Sequence, residues 1–296
     1  MKKPNILAFV LLLSLLLICA CNRQPVSSMD EETEQALVEQ YGEPTVVRLS
    51  RPGTLRSQLS ALPAEQFRFI RIFGTMNAED FAYLNSCDNH ADILVLDLLD
   101  ASVVAGDSAY LKNFGEDAFR ITEDNTMGCY QFDGLFQLQR LYLPLTLTKL
   151  CDKAFYSKYN LDYIALPPSL REIGDYVFDG CSHLTSVVLP DSLLSIGYHS
   201  FPSSVQSLRI PRSVCQLHDG GIGEQEEYYM EWTPDELSPF ENVSLEWIKM
   251  RHDGPRTITS WVHPTLHVPA AYVEAYKEAF HTPNKVVADE TVNSKL

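Results

Sequence analysis

The sequence of 296 residues is 45% hydrophobic and 10% aromatic, which is normal for a folded protein with a substantial core. Its formal net charge of −16 opposes the approach of a phosphate backbone, which argues against nucleic acid as a partner. A chain of this length can form one elongated unit without division into several globular domains.

Residues 1–20 have the features of a lipoprotein signal peptide. Lys2 and Lys3 precede an apolar run from Ile6 to Ile18, which is too short for a good transmembrane helix and fits a secretory signal. The run ends in the letters LICAC, which resemble a bacterial lipobox and imply cleavage before Cys21 and acylation of that residue. Several acyl chains would hold the protein at the outer membrane or cell surface after export. The alternatives are an ordinary secreted protein and an uncleaved anchor.

Residues 21–49 are predicted to be a flexible acidic tether with one or two helical turns. The stretch is polar, turns acidic from Asp30 to Glu34, and has no apolar period before Ala36. Residues 50–115 are predicted to be an N-terminal cap. The cap contains a strand over 67–74, a short helix over 78–84 and, at 93–98, the first strand of the main sheet.

One unit is written four times between residues 127 and 211. Its phenylalanines recur every 23 residues, and each is followed by three apolar residues and a proline. The phenylalanines are Phe132, Phe155, Phe178 and Phe201, and the prolines are Pro144, Pro167, Pro190 and Pro211. A fixed period of this kind predicts a solenoid, because one unit cannot bury its own apolar residues whereas stacked neighbours share a core.

The spacing within the unit predicts its local structure. Apolar residues two apart point to one face of a strand, and the proline ends the strand because it has no N–H to donate. In the Ile-Gly pair that follows, Gly174 and Gly197 are expected to adopt positive φ, which costs glycine nothing. The phenylalanine is expected to place its ring under the next coil.

The units "IGDYVFDGCSHLTSVVLP" and "LCDKAFYSKYNLDYIALP" resemble the BspA-like leucine-rich repeats of surface proteins from Bacteroides-type gut bacteria. The resemblance implies an α+β fold leaning to β: a leucine-rich-repeat solenoid of short stacked strands with turns or short helices, capped at both ends. It also implies extracellular binding and offers no catalytic residues. The repeats are assigned to residues 116–250, with an insertion at 212–244, and the C-terminal capping coil and tail to 251–296.

Motifs for catalysis, cofactors and metals are missing from the sequence. There is no Cys-x-x-Cys pair, and Pro264 interrupts the only closely spaced histidines, His263 and His267. Of the seven cysteines, Cys19 would be removed with the leader and Cys21 acylated; the remaining five favour buried free thiols with at most one chance disulfide. A hydrolase would need a deep cleft with perturbed acids, which a thin solenoid rarely provides.

The remaining candidate is a binding face on the repeat sheet. Residues that flank the middle apolar position of each strand are predicted to be exposed on a concave surface. The candidates are Arg140, Tyr142, Tyr163, Arg209, Trp247 and Lys249. These residue types dominate protein-binding energy, and the aromatic rings could also stack on sugars. The sequence therefore predicts an envelope lipoprotein that binds a host or bacterial macromolecule, either an extracellular protein or a glycan. A glycan-binding accessory lipoprotein and a structural envelope component are the alternatives, with membrane contact only through the lipid.

Overall fold

The computed structural model describes residues 29–60, 62–86, 93–111, 121–205, 207–211, 213–214, 216–217, 227–230, 265–268, 270, 273–274, 277 and 286–288. The helices in these ranges are α1 (Glu31–Tyr41), α2 (Leu55–Leu59) and α3 (Ala78–Leu84), with a 3₁₀ turn at Ala64–Phe67. The first strands are β1 (Thr45–Leu49), β2 (Phe69–Met76), β3 (Val95–Asp97), β4 (Ala101–Val103), β5 (Thr126–Met127), β6 (Arg140–Tyr142), β7 (Lys149–Leu150) and β8 (Tyr163–Ala165). The others are β9 (Glu172–Ile173), β10 (Ser195–Ile196), β11 (Ser207–Ile210), β12 (Gln216–Leu217), β13 (Glu227–Met230), β14 (Thr265–Val268) and β15 (Val286–Ala288). The predicted leader and its Cys21 lie outside the described residues, as do Trp247 and Lys249.

The strands form three sheets in which neighbouring strands pair in parallel, as expected for the stacked coils of a leucine-rich-repeat solenoid. The front sheet has the order β1-β2-β3-β6-β8, with β4 also paired to β2. The rear sheet runs β12-β10-β9-β7-β5, and the C-terminal sheet runs β11-β13-β14-β15. Leu141 is in register with Ile164 on the front sheet, and Leu150 with Ile173 on the rear sheet. The two residues of each pair are 23 positions apart in the sequence, so one repeat forms one coil and the predicted solenoid is confirmed.

The repeated phenylalanines form a continuous stack through the core, which is called the phenylalanine ladder below. Phe132, Phe155, Phe178 and Phe201 are each at most 3% exposed. Their ring centroids are 5.6, 5.4 and 5.7 Å apart in successive coils, and the ring planes differ by 18°, 13° and 22°. Phe81 of α3 meets the first of these rings edge-on at 5.7 Å, so the N-terminal cap continues the same core.

The expected positive φ at Gly174 and Gly197 is wrong, because positive φ falls on other residues. A Cβ on Gly174 would lie 2.7 Å from the Asp152 nitrogen, and one on Gly197 would lie 2.6 Å from the Asp175 nitrogen. These contacts are with the backbone of the preceding coil, which cannot move aside cheaply. Glycine is therefore required at both places for close approach of neighbouring coils.

The tether predicted for residues 21–49 is wrong from residue 31 onward. Asp30 caps α1 by accepting a hydrogen bond from the Thr33 N–H at 2.7 Å, and Leu37 and Tyr41 are buried. β1 then pairs in parallel with β2, with Val47 opposite Ile72. The cap thus begins well before residue 50, and β3 is the third strand of the front sheet, not the first. The predicted helix at 78–84 is confirmed as α3.

The insertion predicted at 212–244 is also wrong, because β13 lies within it. Leu208 of β11 is in register with Tyr228 of β13, and Tyr228 in turn with Leu266 of β14. The strand predicted at 245–250 lies outside the described residues. In the parts of the chain that the structure covers, no helix is both long and apolar enough to cross a membrane.

Candidate binding surfaces

The front sheet brings three of the predicted binding residues together. Arg140 and Tyr142 of β6 lie beside β8, where Arg140 is in register with Tyr163. The rings of Tyr142 and Tyr163 are 5.3 Å apart between centroids, and the Arg140 guanidinium lies 5.6 Å from the centre of the Tyr163 ring. Arg140 also approaches the Asp162 carboxylate at 3.6 Å, in a partly exposed ion pair.

Helix α1 covers part of this face, which corrects the prediction for Tyr142. Tyr142 is only 1% exposed and belongs to a buried apolar cluster with Leu37 and Tyr41 of α1. Ala165, on the same face, is buried in the same cluster. Burial raises the pKa of the Tyr142 phenol well above its ordinary value. Tyr142 and Ala165 therefore lie on the face that the strand alternation predicts, but helix α1 of the same chain covers this part of the face.

Polar contacts fix α1 in this position. The Arg71 guanidinium is bonded to the Glu34 carboxylate of α1 and to the Asp97 carboxylate of β3, both at 2.7 Å. Burial raises the pKa of Asp97, while a hydrogen bond from the Leu99 N–H and the Arg71 charge act in the opposite direction. At the end of α1, the Tyr41 hydroxyl donates to Gln139 at 3.0 Å and accepts from Arg140 at 3.3 Å.

The other predicted residues do not join this cluster in the described structure. Arg209 lies in β11 and so belongs to the C-terminal sheet, whereas Arg140 and Tyr163 belong to the front sheet. The two sheets are separate because residues 185–189, which carry the predicted strand pattern, do not form a strand. Trp247 and Lys249 lie outside the described ranges.

A second surface, which the sequence analysis missed, runs along the turns that follow the rear sheet. It is called the turn ridge here and consists of Tyr130, Lys153, Tyr156, Tyr176, Tyr198 and His199. The rings of Tyr130 and Tyr156 are 5.9 Å apart, and those of Tyr176 and Tyr198 are 5.4 Å apart, both edge to face. The Lys153 ammonium lies between these two pairs, 5.9 Å from the Tyr156 ring and 5.6 Å from the Tyr176 ring. The contacts therefore run without interruption across four coils.

The backbone of each turn presents this ridge to solvent. Tyr130, Lys153, Tyr176 and His199 recur every 23 residues, and all four have φ between 48° and 58°. Positive φ of this size lies in the left-handed region of backbone conformation, which is unfavourable for most residues other than glycine and asparagine. The surrounding structure of each coil must therefore offset the conformational cost of a large residue at this position. Tyr156 and Tyr198 are the most exposed members, at 36% and 38%. In the sequence, this row is visible as one position of the 23-residue unit, which carries Tyr, Lys, Tyr and His in successive coils.

Carboxylates brace the turns from one coil to the next. The Asp152 side chain accepts a hydrogen bond from the Asp175 N–H at 2.9 Å, and Asp175 accepts one from the Tyr198 N–H at 2.6 Å. The ridge is therefore attached to a rigid framework. Among the residues that the structure describes, no three His, Cys, Asp or Glu side chains are grouped so that they could hold a metal ion.

Comparison with known proteins identifies the repeats. Residues 110–221 match the BspA type leucine rich repeat region, in six copies. A leucine-rich-repeat protein of Treponema pallidum is 31% identical, over 34% of this chain and 50% of its own, with a TM-score of 0.33. A leucine-rich-repeat protein from Bacteroides ovatus is 26% identical, over 40% of this chain and 32% of its own, with a TM-score of 0.34.

A third solved structure, the pneumococcal vaccine antigen PcpA, is 15% identical over 84% of this chain and 57% of its own, with a TM-score of 0.40. The matched regions span half or less of the Treponema and Bacteroides chains. Among curated proteins, none matches this chain.

Proposed function

Because the chain carries leucine-rich repeats of the BspA type, we propose that it is an exported, lipid-anchored envelope protein that binds a protein partner through the turn ridge. Leucine-rich-repeat proteins are typically non-enzymatic binding scaffolds, which suits a role in interaction or adhesion. The lipid anchor rests on the sequence that ends at Cys21 and on nothing else.

The observation that carries the proposal is the continuity of the turn ridge. Four tyrosines and a lysine contact one another across successive coils, on turns that are braced by Asp152 and Asp175. Tyrosine is enriched among the residues that supply most of the energy at protein interfaces. A row of rings fixed in advance loses little conformational freedom on binding, so more of the contact energy is available for affinity.

The test measures binding of residues 22–296 to an array of extracellular-matrix proteins, mucins, envelope proteins and purified glycans. The fragment must include α1 and β1, because both belong to the folded unit. The variant Tyr176→Ala/Tyr198→Ala removes the centre of the ridge, and Tyr159→Ala is its control, since Tyr159 is 60% exposed and makes none of the ridge contacts described above.

We expect a protein ligand to bind the wild type and Tyr159→Ala equally. The double variant should bind at least about tenfold more weakly, which corresponds to about 1.4 kcal/mol. If the double variant binds as tightly as the wild type, the turn ridge is not the binding surface. If the protein captures only glycans, its ligand is a carbohydrate and not a protein.

The exposed remainder of the front face provides a second arm of the same experiment. Arg140→Ala/Tyr163→Ala tests whether the predicted front-face residues contribute, and Arg209→Ala tests the C-terminal sheet separately. The anchor is tested by mass spectrometry of the N-terminal peptide, in which Cys21 should carry acyl chains. An unmodified Cys21 in the protein isolated from envelopes would contradict the anchor without affecting the binding proposal.

A further inference from the structure

Two cysteines lie side by side in neighbouring coils. Cys129 and Cys151 follow the paired strands β5 and β7, in which Met127 is opposite Leu150. The Cys151 N–H donates to the Met127 carbonyl at 2.8 Å, and the Tyr130 N–H donates to the Lys153 carbonyl at 3.1 Å. The backbone is therefore tied on both sides of the cysteine pair, which keeps the two segments at sheet spacing.

The geometry of this pair suits a covalent bond. Continuing the β5–β7 register past the strand ends puts Cys151 one residue out of step with Cys129, which gives a Cα separation of about 6 Å. Disulfides require Cα atoms between roughly 4.4 and 6.8 Å apart, so the backbone needs little or no movement. The Cys129 thiol is close enough to the Cys151 thiol to raise the pKa of Cys151, and burial raises it further. Both residues are partly exposed, and an oxidant can reach them.

Cys181 provides a contrast within the same chain. It is fully buried, and its thiol lies 3.2 Å from the Phe155 carbonyl, to which it donates. Burial raises the pKa of Cys181 to about 12. Because an oxidant cannot reach a fully buried side chain, Cys181 should remain a free thiol under conditions that oxidise the partly exposed pair.

We propose that Cys129 and Cys151 form a disulfide bond in the exported protein. This inference rests on the function proposed above only in that export brings the protein into an oxidising compartment. The oxidant is a disulfide of the thiol-exchange class. One cysteine, as its thiolate, attacks a sulfur of the oxidant and releases one thiol; the second cysteine then attacks the mixed disulfide and releases the other. The two cysteine thiols are thereby oxidised to one disulfide, and the oxidant is reduced to two thiols.

The bond would join the first two phenylalanine coils at the start of the turn ridge. Tyr130 directly follows Cys129, and Lys153 is two residues beyond Cys151. A cross-link at this position constrains the unfolded chain and fixes the spacing of these two ridge residues.

The first arm tests the geometry without any assumption about export. Residues 22–296 are purified in reduced form, equilibrated with oxidised glutathione, alkylated and digested with trypsin. We expect peptide 121–140 linked to peptide 150–153, lighter than the sum of the two by two hydrogen atoms, while Cys181 is alkylated only after denaturation. Cys129→Ser should abolish this product. Cys129 and Cys151 that carry only glutathione, or that are linked to other cysteines, would overturn the proposal.

The second arm maps the same peptides in the protein isolated from cell envelopes after alkylation of free thiols. The linked peptides should be present and should disappear on reduction. If the bond forms in the first arm but the envelope protein is fully reduced, the proposed bond is absent in vivo. Acylation of Cys21 in the same digest reports export independently, so failure of the bond and failure of export can be distinguished.

Discussion

Phe155 and Phe178 stack face to face one coil apart, with ring centroids 5.4 Å apart and ring planes 13° apart. Both side chains have no exposed surface, and each also stacks on the next ring of the phenylalanine ladder. In a repeat protein each coil contacts only its neighbours, so a ring in the middle of the ladder supports two interfaces.

Phe178→Ala should therefore reduce the free energy of unfolding by roughly 3–5 kcal/mol, as is usual for truncation of a buried aromatic residue. Urea denaturation followed by circular dichroism measures the loss. Tyr159→Ala is the control, because this side chain is 60% exposed and its removal should change stability by no more than about 0.5 kcal/mol. Equal effects of the two substitutions would mean that the ladder contributes little to stability.

Gly197→Ala should destabilise the protein through a steric clash. The added Cβ would lie 2.6 Å from the Asp175 backbone nitrogen, and the resulting displacement of one coil should cost about 1–3 kcal/mol or more. Gly42→Ala separates this effect from backbone strain, since Gly42 has φ of 91° but no atom within 4 Å of its Cβ position. It should cost only about 1 kcal/mol. A smaller loss for Gly197→Ala than for Gly42→Ala in thermal or urea unfolding would refute the requirement for close approach.

The repeats could be predicted from the sequence because their period is carried by residues that face the core. Phe132, Phe155, Phe178 and Phe201 recur at one spacing, and that spacing is the length of one coil. The role of Gly174 could not be predicted, because positive φ and close approach both select glycine and only the neighbouring coil distinguishes them. Tyr142 was misplaced for a similar reason: its strand alternation is correct, but a distant helix covers it.

The length of helix α1 and its packing on the sheet were not predicted, because only Leu37 and Tyr41 of its 11 residues are buried. Two apolar residues in an acidic stretch give a weak periodic signal, and the helix depends on tertiary contact for its stability. β13 was missed because Glu227–Met230 lacks the leucine spacing of the earlier strands. The turn ridge, by contrast, occupies one position of the 23-residue repeat, but its residue types differ from coil to coil and it lies outside the strands from which the binding face was predicted.

Leu37→Ala should release α1 from the front sheet without unfolding the repeats. Leu37 is 2% exposed and packs in the cluster that buries Tyr142, so its truncation should cost about 2–4 kcal/mol locally. Amide hydrogen exchange followed by mass spectrometry should show faster exchange for residues 31–41 and little change for the strands of the rear sheet. Glu39→Ala, on the exposed side of the helix, is the matched control. Uniform loss of protection throughout the chain would show that α1 and the repeats unfold as one unit.

The pH dependence of stability should reveal the buried Lys158. This side chain is 4% exposed, and its ammonium donates to the Asp133 carbonyl at 2.9 Å. Burial lowers the pKa of Lys158 in the folded protein below its ordinary value of 10.5. As pH rises, the folded state therefore loses this proton before the unfolded state does.

Between the lowered pKa of Lys158 in the folded protein and its ordinary value of 10.5, the unfolded chain binds more protons than the folded one. The free energy of unfolding should therefore rise with pH across this range and level off near 10.5. Lys158→Met keeps most of the side-chain volume and removes the titrating group. The stability of the wild type relative to this variant, from urea midpoints at a series of pH values between neutral and about 10, should therefore increase with pH. Subtracting the variant cancels the other lysines and tyrosines that titrate in the same range. A difference that stays constant or decreases with pH would show that the folded structure does not penalise the charged form of Lys158.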